Sequence, residues 1–220
     1  MTDSAPWTVT LVCGASGVGK SHIARPLAAR YGAPLIEADD IVTALQAVTT
    51  AEQQPWVHFW RTHPEAASWA PEKIADLHFK LATAVRPAFA AVIADHIEFA
   101  APAVAEGDYL LPELAAGFGA AVRAVVIQEP DEDRIVANYQ RREPGNRLQR
   151  HRARVSVLVG AELTRRAAAG CRSCRPGRGA TGWIASIGHC APSAVDRTRP
   201  GLLSVVSLRG GLGRSCRSSQ

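Results

Sequence analysis

The sequence predicts an α/β protein, a parallel sheet flanked by helices in three layers, followed by an irregular C-terminal tail. Three observations carry this expectation. Short β-rich runs alternate with helical patterns over residues 8–169, the rhythm of repeated βαβ units. One such run leads directly into a glycine-rich turn, GASGVGKS, and from there into a helical pattern. Two further runs end in acidic residues, so three separate segments converge on the carboxyl edge of one sheet, where open α/β sheets bind their ligands. A chain of 220 residues with 47% apolar and 20% charged residues fits one folded domain carrying an appendage.

The first element is the run TVTLVC, residues 8–13, read as a strand. Residues 14–21 follow with the spacing G-x-x-x-x-G-K-S. Gly14, Gly17 and Gly19 let the backbone wrap closely, and with Ala15, Ser16 and Val18 they aim N–H groups at phosphate oxygens. The helix that starts there adds partial positive charge. Lys20 reaches the β- and γ-phosphates of a nucleotide, and Ser21 offers a hydroxyl to Mg²⁺. The helix carries Ile23, Leu27 and Ala28 on one face, is expected to kink at Pro26, and stops at Gly32.

The second strand is expected over residues 34–38, ending at Asp39 and Asp40, with a short helix over about 40–48. Residues 55–69, PWVHFWRTHPEAASW, are dense in aromatics and histidines and suit a cap over a substrate, with His58 and Trp60 as candidate contacts. The bland reading of this segment is a packed cap with satisfied histidines. Its two histidines five residues apart are poorly spaced for zinc on a helix. A long helical stretch over about 71–99 repeats Ile74, Leu77, Leu81, Val85, Phe89, Val92, Ile93 and Ile97 on one face, which reads as core. Pro87 is expected to kink or split it. Residues 102–106 form a third strand ending at Glu106-Gly107-Asp108, and residues 122–128 a buried fourth strand. Helices over 131–142 and 147–168 follow, broken at Pro144-Gly145. Their junction holds Arg134, Arg141, Arg142, Arg147, Arg150, Arg152 and Arg154, a candidate phosphate-binding lid in which one to three act on phosphate and the rest are solvated.

The loop GASGVGKS, the EADD after the second strand, the EGDYLLPEL after the third and the arginine-rich helical hairpin together resemble the small P-loop kinases. The nearest resemblance is to the 2-phosphoglycerate kinase group, in which the third strand also ends in Glu-Gly followed by an apolar-Pro turn; Glu106, Gly107 and Pro112 hold those places. The resemblance spans about residues 8–169 and implies a three-layer P-loop kinase-type sheet, with ATP and Mg²⁺ as cofactors and a small hydroxyl-bearing acceptor. In that reading Lys20 acts on the transferred group, Asp39 accepts the acceptor proton, and Asp40 contacts the acceptor. Ser21 and Glu106 hold Mg²⁺, and Arg141 and Arg142 close as the lid. The aromatic 55–69 segment and the lack of an evident fifth strand depart from the pattern. The alternative is a nucleotide-binding regulator with slow ATPase activity whose tail contacts nucleic acid.

The tail differs in composition. From Gly170 to Gln220 there are eight Arg, no Lys, one acid (Asp196) and four of the five cysteines. That leaves 17 basic and 19 acidic residues in 1–169, so the body is slightly acidic and the excess positive charge belongs to the tail. Three accounts of the tail are open. One is a zinc module built on Cys171, Cys174, His189 and Cys190, whose second pair is poorly spaced. Another is a disordered basic segment that binds nucleic acid. The third is a shift of reading frame after residue 169, since alternative codons there permit an apolar strand near residue 171. On that account the sheet lacks an edge strand, and only Leu202 to Leu208 has strand character in the tail as it stands. The opening MTDSAPW has no basic segment leading into an apolar one, and no apolar run approaches 18 residues, so a cytoplasmic location without membrane contact is expected. Oligomeric state is not readable.

Overall fold

The computed structural model describes residues 7–170 and 203–207. Its first strand, β1 (Val9–Gly14), is buried along its whole length, as the β-branched and apolar run VTLVC requires of a central strand. The chain continues through α1 (Lys20–Tyr31), β2 (Leu35–Glu37), α2 (Ala38–Val48), the short α3 (Phe59–Thr62) and a 3₁₀ turn to α4 (Pro71–Glu98). It then forms β3 (Ala103–Gly107), α5 (Glu113–Ala116), β4 (Val122–Gln128), α6 (Glu132–Arg142), α7 (Gln149–Gly170) and β5 (Leu203–Ser207). The sheet is parallel, in the order β2-β3-β1-β4-β5.

The predicted fold class holds, and the differences have local causes. Pro26 and Pro87 neither end nor split their helices: α1 and α4 run through them. Both prolines are exposed, and each is bracketed by buried residues, Ala24 and Ala28 in one case, Val85 and Phe89 in the other, whose packing holds the helix across the lost hydrogen bond. Gly32 ends α1 in the left-handed region as expected. β2 is two residues shorter than the expected 34–38, because Ala38, Asp39 and Asp40 enter the first turn of α2, where carboxylates favour the helix dipole. Asp131 caps α6 through hydrogen bonds from the Asp133 and Arg134 amides.

The core lies on both faces of β1, β3 and β4. α4 buries Ile74, Leu77, Leu81, Val85, Phe89 and Ile93 and packs on α7, α2 and β1. By length and composition α4 is also apolar enough to cross a membrane, but this apolar stripe faces the sheet and neighbouring helices. The expectation that β4 is left as an open edge is corrected: β5 pairs with it from Ala124↔Leu203 to Gln128↔Ser207. Among the described residues the fifth strand is the one tail segment with strand character. The proposed zinc residues Cys171, Cys174, His189 and Cys190, and the reading-frame junction, lie outside the described residues. Among the described residues no cluster of three or more His, Cys, Asp or Glu side chains is arranged for a metal.

Candidate active site

Strand register builds the site. Val12 pairs with Glu106 and Cys13 with Gly107, so the loop that follows β1 lies beside the turn that follows β3. Glu37 pairs with Glu106 on the other side, which brings the start of α2 to the same edge. These three segments touch closely. A Cβ on Gly107 would lie 2.2 Å from the Ala38 Cβ, so only glycine lets β3 and α2 approach this far. The loop from Gly14 to Ser21 turns over the end of β1 with Gly17 at φ +77° and Gly19 at φ +94°.

Lys20 is buried and donates to the Ala15 carbonyl at 2.9 Å. Its second partner is the Asp108 carboxylate, with which it forms a short ion pair. Burial alone would push the Asp108 carboxyl up, but the Lys20 charge and hydrogen bond, helped by His78 and Arg142, outweigh it and hold Asp108 below the usual carboxylate range. Ser21 Oγ donates to Glu106 Oε1 at 2.6 Å. Glu106 is buried, so a hydroxyl and a carboxylate stand side by side at the foot of the cleft. Two hard oxygen donors of this kind suit Mg²⁺.

Asp39 lies across the cleft from the loop. Although much of the residue reaches solvent, desolvation by the cleft wall raises its pKa above the ordinary aspartate value; Asp108, Glu106 and Glu37 add to this and Lys20 opposes it. The far wall comes from α6, where Asn138, Arg141 and Arg142 face the loop. Asn138 donates to the Gly17 carbonyl at 2.7 Å and accepts from Arg141, which ties α6 to the loop. The cleft enclosed by these residues has a volume of about 750 Å³.

Lys20, Ser21, Asp39, Glu106, Arg141 and Arg142 are thus brought together with the backbone of Gly14, Ala15, Ser16, Gly17, Val18 and Gly19 around one cleft or its supporting loop. Of the remaining hairpin arginines, Arg134, Arg147, Arg150 and Arg154 are exposed, as expected of a solvated face, and Arg152 is half-buried; four of the five also meet acids. Arg134 pairs with Glu129, Arg150 with Asp133 and Glu132, Arg154 with Glu132, and Arg152 with Glu143. Acids brought close by the antiparallel hairpin neutralise them. His58, expected at the substrate, is instead buried with Nε2 3.0 Å from Thr49 Oγ1, and it lines neither the cleft above nor the cavity described below. Asp40 sits in the exposed first turn of α2, outside the cleft lining. Trp60 donates to the Tyr109 hydroxyl at 3.1 Å and faces the second cavity. Sequence reasoning missed Asp108 and Asn138; the acid directly after Glu106-Gly107 was the available signal for the first.

A family model described as an AAA domain (AAA_33) matches residues 9–166. The chain belongs to this family. It is a P-loop nucleotide-binding fold, as the strand, loop and helix around Lys20 require. Among solved structures, TT1252 from Thermus thermophilus is similar at 18% identity and a TM-score of 0.40, covering 74% of this chain and 86% of its own. An uncharacterized protein from Eubacterium ventriosum is similar at 13% identity and a TM-score of 0.40, covering 91% and 89%. No curated protein matches.

Proposed function

We propose that this AAA-domain protein is a Mg·ATP-dependent phosphotransferase that acts on the hydroxyl of a small molecule in the cytoplasm. The observation that carries the reading is the single cleft in which Lys20, the Ser21–Glu106 pair and Asp39 face Arg141 and Arg142. A nucleotide-binding loop alone suits many activities. A carboxylate with a raised pKa beside the phosphate anchors, opposite two arginines, suits phosphoryl transfer to an acceptor.

Ser21 and Glu106 are the residues that would hold Mg²⁺, and Mg·ATP when bound supplies the transferable phosphoryl group. Lys20 turns from Asp108 to the phosphates, and the loop amides between Gly14 and Ser21 fix them. Asp39 orients the acceptor hydroxyl and takes its proton on a carboxylate oxygen. Its raised pKa makes it a better base than an ordinary aspartate. Arg141 and Arg142 neutralise charge on the transferred group, and Asn138 keeps their helix in register with the loop.

The resemblance to the 2-phosphoglycerate kinase group makes a phosphorylated hydroxy acid one acceptor to set against neutral alcohols. The regulator reading rests on the tail, and the described body offers it no basic stripe, because most hairpin arginines are paired with acids. The deciding experiment is a thermal-shift titration with Mg·ATP on the wild type and Lys20→Ala, followed by ADP release with acceptors. At about 100 times its dissociation constant the nucleotide adds about 2.7 kcal/mol, or about 5–10 °C. The shift should disappear in Lys20→Ala. An equal shift in both proteins refutes the assignment of the loop.

A further inference from the structure

A second cavity, of about 340 Å³, opens beside the nucleotide cleft and shares Ser16 and Asp108 with it. It lies between α4, α7 and the turn after β3. Its walls are aromatic and aliphatic, formed chiefly by Trp60, Ile74, Tyr109, Tyr139, Leu148 and Val155. The volume suits a small ring-bearing ligand.

Its polar groups are few and unusual. The Nε2 atoms of His78 and His151, both on this lining, are buried and have no hydrogen-bond partner. Buried polar atoms are almost always paired, and two unpaired ones on one cavity wall point to groups that a ligand brings. The His78 ring is hydrogen-bonded to the Asp108 backbone, and burial lowers its pKa to about 4. It is therefore neutral at physiological pH and presents a lone pair at Nε2, which asks for a hydroxyl or N–H donor.

The charges argue against an anionic occupant. Arg152 is the one permanent cation on the lining, and it is already committed: it donates to Glu143 at 2.5 and 3.1 Å and stacks on Tyr139 at 4.2 Å. Asp108, at the shared mouth, is a carboxylate whose own cation is Lys20. A phosphate or carboxylate entering here would find a like charge and no free arginine.

We propose that this cavity is the acceptor subsite and that it takes an uncharged, ring-bearing alcohol whose second hydroxyl meets His78 or His151 while its reacting hydroxyl is presented at the Ser16–Asp108 mouth. The inference rests on the phosphotransferase reading above. The alcohol oxygen forms a bond to the terminal phosphorus of ATP, and the bond from that phosphorus to the oxygen bridging it to ADP breaks. The hydroxyl proton passes to Asp39, and the products are ADP and a phosphate monoester.

The test compares neutral and charged acceptors of one shape. A panel of cyclic and aromatic diols, with 1-phenylethane-1,2-diol as the first probe, is set against mandelate and 2-phosphoglycerate. ADP release and ³¹P detection of the ester are read on the full chain. The diol panel should raise ADP release at least tenfold over the acceptor-free rate, and both anions should not. At least one of His78→Phe and His151→Phe should raise the diol KM about tenfold, glutamine at the same position should restore most of it, and all should keep the Mg·ATP thermal shift. Stronger stimulation by either anion, no stimulation by any diol, or an unchanged KM in both phenylalanine variants overturns the inference. Loss of the Mg·ATP shift in the wild type overturns the parent reading instead.

Discussion

The Lys20–Asp108 ion pair holds the loop lysine in place without nucleotide, and removing its charge should have two opposite effects. Lys20 is 8% exposed and Asp108 27% exposed at the side chain, so Lys20 has little access to water and only the Ala15 carbonyl as a second partner. Asp108→Asn keeps the shape and one hydrogen bond but removes the countercharge. Breaking a fully buried pair costs about 3–5 kcal/mol, and a hydrogen bond to a charged group is worth about 1.5–3 kcal/mol. The partial exposure of Asp108 and the retained amide oxygen place this variant near 1.5 kcal/mol. At about 2–4 °C per kcal/mol that lowers the Tm of the ligand-free protein by about 3–6 °C. Nucleotide phosphates then no longer compete with a carboxylate for Lys20, so the Mg·ATP dissociation constant should fall by up to about tenfold, the equivalent of about 1.4 kcal/mol. The pH dependence has a definite sign. Asp108 has a lowered folded pKa, so its stabilisation is present above the unfolded value of 3.8 and is lost as pH falls through the lower folded value. The Tm gap between wild type and variant should therefore stay constant from pH 8 to pH 5. Differential scanning fluorimetry across pH, with calorimetric titration of Mg·ATP, measures both effects. An unchanged ligand-free Tm, or weaker nucleotide binding in the variant, refutes the reasoning.

Four other outcomes follow from the same geometry. Asp39→Asn should cut turnover at least a hundredfold with little change in Mg·ATP binding, consistent with the loss of a general base. In the wild type the acid limb of kcat should lie above the pH of an ordinary aspartate, because Asp39 is raised; a limb at or below pH 3.8 would place the base elsewhere. Gly107→Ala forces a Cβ to within 2.2 Å of the Ala38 Cβ, so it should cost about 2 kcal/mol by overpacking, lower Tm by about 4–8 °C and reduce turnover by displacing Asp39; scanning fluorimetry and ADP release check it. Deleting residues 170–220 removes β5 and exposes the ladder of β4, so the shortened chain should melt earlier and aggregate on light scattering, and equal melting would show that β5 adds nothing to the sheet.

The parts of the site legible in the sequence are those set by local chemistry. The G-x-x-x-x-G-K-S spacing fixed Lys20 and Ser21 because a tight phosphate-binding turn needs glycines and a lysine at fixed offsets. Glu106 and Asp39 were legible because strand ends gather on one edge of a parallel sheet. What local reading could not supply was partnership across the chain. Asp108 lies 88 residues from Lys20, and its pairing follows from the β1–β3 register, which no single-sequence pattern displays. The hairpin arginines looked equivalent until α6 and α7 folded against each other and matched three of them, Arg150, Arg152 and Arg154, to acids on or at the end of α6. The strand character of Leu202 to Leu208 was legible, but its place beside β4 was not, because it sits far beyond the usual helix-to-strand spacing and the pairing is again a long-range fact.

His78 shows the same limit from the other side. At the i+4 position from Ile74 it reads as one polar break in an apolar stripe, and a helix alone gives no reason to single it out. Packing of α4 against the turn after β3 turns that break into a neutral imidazole with an open Nε2 on a cavity that meets the phosphate cleft at Asp108. The two clefts therefore divide the chemistry by charge. Paired cations, loop amides and hard oxygens gather where phosphate is proposed to bind, and aromatic walls with unpaired imidazole nitrogens gather where the acceptor would lie. Asp108 stands at their boundary as a fixed negative charge, which keeps Lys20 oriented and makes the acceptor side unfavourable to a second anion.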